Sequence, residues 1–508
     1  MTSVFPLLLL TLPLFTSLKI DSDNQFVDAN GNVVILRGSS FVNKNDDIIH
    51  LTDKFLDKFA LKWGFNVARV GFLWNLVEPS PGIYNKTYLS ALDRLVHRLS
   101  VRQIYIILDM HQDLWSPLYC GHGIPSFYAH PYDEAPFYRG GKFAFPQPII
   151  APQYSPQSRG QKFAPITNCD AAESNLIGWA SLYDAFALSA ASQRLYQNHS
   201  GILDRFGDLW ELISRRYRDQ PYVLGYELLN EPWVGDQWRD FDLFTPANAD
   251  VKNLQSMNRY LSQRIRRYDQ EKLIFFEPAG GGNMPGSMGY TETPGGTRYR
   301  DREVLSYHLY CPKVALPYYK PQRPAVAWLE YYLQPWGEAV LCDYQYRHEI
   351  NVRMNVVKKL GCGGLLTEFG GMFKKEIGGW NSIKTLLTLL NEHKTGWIYW
   401  EENEWRQLDL APELRPILIT PYARKIAGTP VKIDYNYDTK IFTLIYKPHA
   451  TEKTTEIFYS PEETYPHGVQ CETKPAGADI QCITLNRTAT VTLRGPVHGN
   501  VVVQLSSM

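Results

Sequence analysis

Apolar segments of two kinds alternate along most of the chain. Short apolar runs, such as residues 65–72 and 104–109, predict buried strands. Longer segments with apolar residues at helical spacing, such as 89–99 and 202–217, predict amphipathic helices between those strands. Counting strands from Val33 gives eight, and helical stretches separate nearly all of them. Eight strand–helix units predict a (β/α)8 TIM barrel rather than an open sheet.

The predicted elements can be placed by residue number. The strands are predicted from residue 33 onward and at 65–72, 104–109, 222–229, 273–276, 304–310, 364–368 and 396–400. The helices are predicted at 52–63, 89–99, 175–196, 202–217, 251–268, 348–360 and 383–393. Residues 26–36 carry the Asn-Gly signature of a hairpin, whose second arm runs into the first of these strands.

The pattern changes after about residue 429. Short alternating runs with turn residues between them follow one another, and no helical pattern intervenes. We therefore predict a C-terminal antiparallel β-sandwich at 429–508, after a barrel at 18–428 and a signal peptide at 1–17.

Polar and titratable residues lie at or just after the carboxyl ends of the predicted barrel strands. In a barrel, these ends meet on one face. The residues are Lys44, Arg69, Asp109, His111, Asp113, Asn230, Glu231, Glu277, His308, Tyr310, Glu368, Trp400 and Glu401. The chain has no GxSxG elbow, phosphate loop, dinucleotide fingerprint or HExxH motif. Paired carboxyl groups are typical of glycoside hydrolysis, and Glu231 and Glu368 are the pair that we predict.

Composition narrows the function further. Lys plus Arg and Asp plus Glu both number 52 in 508 residues, which argues against binding to nucleic acid because phosphates require a basic excess. Aromatic residues make up 13%, enough for sugar-stacking surfaces or for an aromatic core. No metal or organic cofactor is expected.

Several features indicate export. An apolar run at residues 4–15 resembles the core of a signal peptide, although no Lys or Arg precedes it. Three sequons begin at Asn85, Asn198 and Asn486. A secreted, lumenal or lysosome-like location follows. Some of the seven cysteines should then pair. The predicted pairs are Cys120 with Cys169, Cys311 with Cys342 and Cys471 with Cys482, which leaves Cys362 free.

The strand-end motifs resemble those of glycoside hydrolase family 5. They are LLNEP at 228–232, HLY at 308–310, LTEFG at 366–370 and WIYW at 397–400. Within that family, the run LDMHQDLW at 108–115 and the C-terminal sandwich are most similar to the endoglycoceramidases, which release an intact oligosaccharide from ceramide. The resemblance covers roughly residues 25 to 508.

The resemblance implies roles for the individual residues. Glu231 would be the general acid/base and Glu368 the nucleophile, with Asn230 on the sugar 2-hydroxyl. Arg69 is predicted to lower the pKa of Glu368, and Tyr310 is predicted to donate a hydrogen bond to it. His111 and His308 would orient polar groups, and Trp400 would stack on a sugar. Lys44 and Asp109 would bind sugar hydroxyls. Arg69, His111 and His308 could instead be structural, and Glu277 is expected to support the site from behind.

Alternatives stay open at this point. A β-glucosidase acting on glucosylceramide or steryl glucosides needs only a shorter cleft, and a silent glycan- or lipid-binding barrel belongs to a different class of function. An aromatic insertion after the sixth strand, containing Trp328 and Trp336, is predicted either to receive ceramide or to pack locally. We expect a glycosphingolipid substrate, transient contact with a membrane or micelle, and a monomeric state.

Overall fold

A closed barrel of eight parallel strands forms the centre of the chain in a computed structural model. The structure describes residues 17–44, 47–48, 50–130, 183, 186–282, 288–310, 335–370, 379–400, 409–449, 452–475 and 478–508. Residues 1–16 of the predicted leader, most of the aromatic insertion and Glu401 lie outside these residues. Within the described ranges, no helix has the length and apolar character needed to cross a bilayer.

The strands follow the chain in order around the barrel, and the last pairs with the first. Three short strands, β1 (Lys19–Ile20), β2 (Phe26–Val27) and β3 (Val33–Val34), precede the barrel. The barrel strands are β4 (Arg37–Phe41), β5 (Val67–Phe72), β6 (Tyr105–Met110), β7 (Val223–Glu227), β8 (Leu273–Phe276), β9 (Glu303–His308), β10 (Gly363–Glu368) and β11 (Trp397–Tyr399). The predicted TIM barrel is therefore confirmed.

Helices occupy most of the crossovers, close to the predicted positions. They are α1 (Asp53–Asp57), α2 (Trp74–Val77), α3 (Lys86–Ser100), α4 (Phe186–Tyr196), α5 (Ile202–Tyr217), α6 (Pro246–Ala249), α7 (Gln255–Arg266), α8 (Pro335–Leu360), α9 (Gly379–Glu392) and α10 (Arg415–Leu418). One π-helical turn, Lys58–Lys62, extends α1, and another, Asp250–Leu254, joins α6 to α7.

The interior of the barrel changes from apolar to charged along the strands. Successive side chains of a strand point to opposite faces, so residues two apart share a face. On β5, Val67 belongs to the apolar cluster inside the barrel, and Arg69 follows two positions later. On β6, Ile107 belongs to the same cluster, and Asp109 follows it. This gradient buries an apolar base and brings polar groups to the carboxyl-end face.

The N-terminal hairpin belongs to a different sheet from the one that we predicted. Val33–Val34 pairs with Val27 on one side and with the strand containing Lys425 on the other, so the first barrel strand starts at Arg37 and not at Val33. The run from Val33 to Leu36 is buried throughout, and a run that is apolar on both faces does not specify which sheet it joins.

A two-sheet sandwich follows the barrel, which confirms the predicted fold of the C-terminal region. Its strands are β12 (Tyr422–Ile426), β13 (Gly428–Tyr435), β14 (Phe442–Pro448), β15 (Thr454–Phe458), β16 (Val469–Lys474), β17 (Ile480–Leu485), β18 (Thr488–Leu493) and β19 (Val501–Ser507). One sheet has the order β1-β2-β3-β12-β15-β18-β17, and the other has the order β13-β14-β19-β16.

Cysteine pairing agrees with the prediction where the structure describes it. Cys471 and Cys482 form a disulfide that joins β16 to β17, the edge strands of the two sandwich sheets. Cys362 is free and buried, as predicted. Cys120 and Cys342 are disulfide-bonded, and their predicted partners lie outside the described residues.

The sandwich packs closely against the amino end of the barrel. The Tyr422 hydroxyl donates a hydrogen bond of 2.7 Å to the carbonyl of Gly64. Gly64 has φ +73°, and a Cβ atom added there would lie 2.4 Å from the ring of Phe458. The absence of a side chain at Gly64 therefore allows the two domains to approach each other.

Replacing Gly64 by alanine tests this junction. Gly64→Ala should lower the free energy of unfolding by about 1–2 kcal/mol for the left-handed backbone and by about 1–3 kcal/mol more for the clash. Gly82→Ala is the matched control, since Gly82 has the same φ of +73° and no atom lies within 4 Å of an added Cβ. Equal losses in denaturant unfolding of the two variants would show that the junction is not tightly packed.

Candidate active site

The ten predicted site residues form one connected cluster at the carboxyl end of the barrel, around Arg69. Its guanidinium is fully buried and donates to Glu227, to Glu368 Oε1 at 2.6 Å and to Asn230 Oδ1 at 2.7 Å. The other predicted members reach this centre through further contacts and are Lys44, Asp109, His111, Glu231, His308, Tyr310 and Trp400.

Four carboxyl groups surround this one guanidinium. Besides Glu227 and Glu368, Asp109 Oδ2 lies 3.1 Å and Glu277 Oε1 lies 3.5 Å from Nη2 of Arg69. Burial alone would lower the pKa of Arg69, but the nearby carboxylates raise it well above its ordinary value. Burial, together with the charge of Glu227, raises the pKa of Glu277 well above its ordinary value. The cluster therefore retains protons at neutral pH.

His308 lies between the two predicted catalytic glutamates. Its Nδ1 atom is 2.8 Å from Glu231 Oε1 and 3.4 Å from Glu368 Oε2. One ligand-type atom from each of these three side chains lies within 4.8 Å of the others. Carboxyl groups are about 5–5.5 Å apart in retaining glycosidases and about 6.5–9.5 Å apart in inverting ones. The observed spacing therefore favours the retaining arrangement.

The two glutamates differ in their surroundings. Burial, followed by the charge of Asp113, raises the pKa of Glu231 to about 7. Burial also raises the pKa of Glu368, but His308 and Arg69 oppose this effect. Burial lowers the pKa of His308 to about 4, so its imidazole is neutral near neutral pH. Glu231 is thus suited to give a proton, while Glu368 has the cationic neighbour that favours a carboxylate.

Local backbone features aim Glu368 into the site. A register shift between Leu366 and Glu368 in β10 places Glu368 opposite His308 of β9. The Tyr310 hydroxyl donates to Glu368 Oε2 at 3.0 Å. Because Arg69 and Tyr310 bind different oxygens, both oxygens of the Glu368 carboxyl group are held in place.

Asn230 is fixed from both ends of its side-chain amide. Its Oδ1 accepts from Arg69, and its Nδ2 donates to the carbonyl of Gln112 at 2.9 Å. The amide nitrogen has two hydrogens, so one donor remains for a group in the cleft. This geometry is compatible with the predicted contact to a sugar hydroxyl.

A second cluster of polar side chains, centred on His111, lines the side of the site next to Trp400. His111 bridges Asp109, at 2.8 Å, and Asp113, at 3.3 Å. Burial would lower the pKa of His111, but these two aspartates raise it to about 9. Lys44 pairs with Asp113 at 2.9 Å. The His111 ring stacks on the partly exposed Trp400 indole, and Lys44 Nζ lies 5.0 Å from the centroid of the same ring.

Sequence reasoning missed two residues of this cluster. Glu227 lies within the buried strand β7, and an acid inside an apolar run is the signal that could have revealed it. Gln112 donates from Nε2 to the carbonyls of both Asn230 and Glu231, at 2.9 Å each. Glu277, expected behind the site, contacts Arg69 and accepts from the backbone N–H of Glu231 at 3.1 Å.

The group formed by Glu231, His308 and Glu368 could also be considered as a metal site. Within the described part of the chain, Glu231, His308 and Glu368 bring potential ligand atoms close enough to hold a cation. Hydrogen bonds from Arg69, Tyr310 and His308 already account for the placement of both carboxyl groups. We therefore interpret the group as a proton-transfer site.

Comparison with known families identifies the class of protein. Residues 27–140 and 177–404 match Cellulase (glycosyl hydrolase family 5), and residues 421–503 match the glycoside hydrolase family 5 C-terminal domain. Together these matches cover most of the chain. The protein belongs to glycoside hydrolase family 5, and it is a glycosyl hydrolase.

Individual relatives have names that are more specific than that of the family. The chain is 28% identical to an endoglycoceramidase of Hydra vulgaris over 475 residues, which is 89% of this chain and 82% of the relative. A structure of endo-glycoceramidase II from Rhodococcus sp., described as a lactosyl-enzyme intermediate, has a TM-score of 0.68 at 21% identity and covers 95% of this chain and 99% of that one. A glucosylceramidase of Aspergillus fumigatus is 28% identical over 149 residues, 24% of this chain and 20% of the relative.

Removing the Arg69 charge tests the electrostatic balance of the site. Arg69→Met should cost about 3 kcal/mol or more in the free energy of unfolding, because it leaves buried carboxylates uncompensated. Carboxyl groups with a raised pKa bind more protons in the folded than in the unfolded state. The loss should therefore grow as pH rises from about 5 to about 8.

Arg37→Met is the matched control for this experiment. Arg37 is equally buried, but its hydrogen bonds go to the neutral groups of Thr420 and Asn391. Its removal should cost nearly the same at both pH values in denaturant unfolding. A pH-independent loss for Arg69→Met as well would contradict the proposed charge balance.

Proposed function

We propose that this enzyme is an endoglycoceramidase, which hydrolyses the β-glycosidic bond between the oligosaccharide and the ceramide of a glycosphingolipid with retention of configuration. The observation that carries the retaining chemistry is the Glu231–His308–Glu368 group, with its atoms within 4.8 Å. The similarity to an endoglycoceramidase along 89% of the chain supports the lipid-linked substrate.

In the first step, the Glu368 carboxylate attacks the anomeric carbon. The bond from that carbon to the ceramide oxygen breaks, and the proton of Glu231 passes to the departing oxygen. The products are free ceramide and a covalent glycosyl ester of Glu368. The pKa of Glu231, about 7, supports this order because the group holds a proton near neutral pH.

In the second step, the ionised Glu231 acts as a base. It takes a proton from water, the water oxygen bonds to the anomeric carbon, and the ester bond to Glu368 breaks. Two displacements at one carbon retain its configuration. Glu231 ends protonated and Glu368 ends ionised, so the enzyme returns to its initial state.

Supporting residues stabilise these two steps. Arg69 and Tyr310 hold the Glu368 carboxylate through separate oxygens. Asn230 directs its remaining amide hydrogen to the sugar 2-hydroxyl, a contact that strengthens as the oxocarbenium ion forms. In this proposal, Lys44, Asp109, His111 and His308 bind or orient polar groups of the substrate and of the glutamates, and Trp400 stacks on a sugar ring.

The proposal also covers the surface on which the enzyme acts, its location and its oligomeric state. The substrate is presented at a membrane or micelle surface, so transient contact with that surface is part of the proposal. The predicted export signals and sequons favour a secreted or lumenal enzyme, and a monomeric state is part of the proposal. The aromatic insertion, predicted either to receive ceramide or to pack locally, falls mostly in residues 311–334, outside the described residues.

A β-glucosidase that acts on glucosylceramide or steryl glucosides is the second candidate. Similarity to a fungal glucosylceramidase over 24% of the chain favours it, but that similarity covers much less of the chain. A silent binding barrel is the candidate from another class. The different neighbours of Glu231 and Glu368 are a feature that a binding protein does not need.

Product analysis separates the three candidates. Incubation of the purified protein with a ganglioside and with glucosylceramide should release intact oligosaccharide and ceramide from the ganglioside. Glu368→Gln should reduce this release by at least about a thousandfold, because no nucleophile remains. Release of glucose from glucosylceramide alone would support the β-glucosidase, and ligand binding without any product would support the binding barrel.

The pH profile tests the proton donor. Activity requires a protonated Glu231, so kcat/KM should fall as pH rises through about 7. Asp113→Asn removes a negative charge that raises this pKa, and it leaves the charges of Lys44 and His111 nearby. The alkaline limb should therefore move to lower pH. Asp57→Asn, an exposed partner of Arg102, is the control that should leave the limb in place. A limb that moves upward in Asp113→Asn would contradict the assignment.

A further inference from the structure

Glu231 adopts a backbone conformation that its residue type rarely uses. Its φ is +40°, in the left-handed region that costs an L-residue with a side chain roughly 1–2 kcal/mol. Such strain persists where surrounding contacts enforce it, and it is concentrated at functional sites. Glu231 lies in the segment that follows β7, directly after Asn230.

Two buried side chains hold this conformation from opposite sides. The Gln112 amide donates to the carbonyls of Asn230 and Glu231, and its own Oε1 accepts from the backbone N–H of Trp115 at 2.8 Å. The Glu277 carboxyl accepts the N–H of Glu231 through Oε2 at 3.1 Å. Gln112 and Glu277 are 0% and 2% exposed, so water is a poor substitute for either.

The other oxygen of Glu277 reaches the remaining parts of the site. Oε1 lies 3.4 Å from His308 Nε2 and 3.5 Å from Arg69 Nη2. No hydrogen-bond partner of His308 Nε2 is found among the described residues. A protonated Glu277 with its hydrogen on Oε1 faces this nitrogen and favours the tautomer in which Nδ1–H donates to Glu231 Oε1. In this arrangement Oε1 of Glu231 accepts from His308, and the proton that is transferred belongs to Oε2.

We propose that Glu277 is a positioning residue for the general acid. It holds the Glu231 backbone in its left-handed conformation, and together with His308 it directs the protonated oxygen of Glu231 toward the leaving group. This inference rests on the proposed function of Glu231 and adds the means by which its carboxyl group is aimed. Glu277 itself takes no part in bond making, because its contacts are to the backbone of Glu231, to His308 and to Arg69.

A pair of substrates that differ only in the leaving group tests this role. Octyl β-lactoside needs protonation of its leaving oxygen, whereas 2,4-dinitrophenyl β-lactoside has a leaving group that departs without it. Glu277→Ala should lower kcat/KM for the octyl glycoside about 100-fold, the lower end of what a positioned acid contributes. The dinitrophenyl glycoside should be cleaved at nearly the wild-type kcat/KM.

Two further variants separate positioning from general damage. Glu277→Gln keeps an oxygen that can accept the Glu231 N–H and a donor toward His308, so it should recover most of the activity lost in Glu277→Ala. Glu303→Ala removes another fully buried carboxyl group, whose pKa is raised to about 8 by burial, from the amino end of β9. It should affect both lactosides alike, with a stability loss measured in the same denaturant series.

The outcomes are distinct. Equal losses on both lactosides in Glu277→Ala, or full activity on both, would overturn the positioning role. If the wild-type enzyme cleaves neither lactoside and no ganglioside, the proposed function fails, and crystal structures of the wild-type protein and Glu277→Ala decide the structural claim. We expect Glu231 to leave its left-handed φ and its carboxyl group to turn in the variant, and an unchanged Glu231 would overturn the inference.

Discussion

The fully buried guanidinium of Arg69 is the constraint on which the site depends. It contacts four carboxyl groups, and one positive charge cannot balance four negative ones where water is excluded. Some of these groups must therefore keep their protons in the folded enzyme at neutral pH. The raised pKa of Glu277 follows from this environment, whereas burial and the charge of Asp113 raise the pKa of Glu231. A site built around one buried cation thus holds protons on its own carboxyl groups.

The protons are distributed unequally because the two key glutamates have different neighbours. Glu368 receives the guanidinium of Arg69 and the hydroxyl of Tyr310, both of which stabilise a carboxylate. Glu231 contacts the His308 imidazole, and the negative charge of Asp113 adds to the effect of burial in raising its pKa. This difference supports the proposed roles of Glu368 as the nucleophile and of Glu231 as the acid. Backbone geometry completes the difference, through a register shift at Glu368 and a left-handed residue at Glu231.

Much of this arrangement could be predicted from the sequence, because each part has a local signal. The alternation of strands and helices predicted the barrel, and polar residues after apolar runs predicted which side chains meet at its carboxyl end. The sheet joined by Val33 could not be predicted, since a run buried on both faces fits either domain. Glu227 and Gln112 were missed because their importance depends on contacts with Arg69 and with the Glu231 backbone, which are distant in sequence.

The central claim is that Glu368 forms a covalent bond to the sugar while Glu231 supplies and removes the proton. Incubation with a 2-deoxy-2-fluoro-β-lactosyl fluoride, followed by proteolysis and mass spectrometry of the peptides, tests it most directly. The fluorine slows both steps and the reactive leaving group speeds the first, so the covalent intermediate should accumulate. We expect the sugar on the peptide that contains Glu368, with the Glu231 peptide unmodified. A label on Glu231, or turnover with inversion and no labelled peptide, would contradict this account.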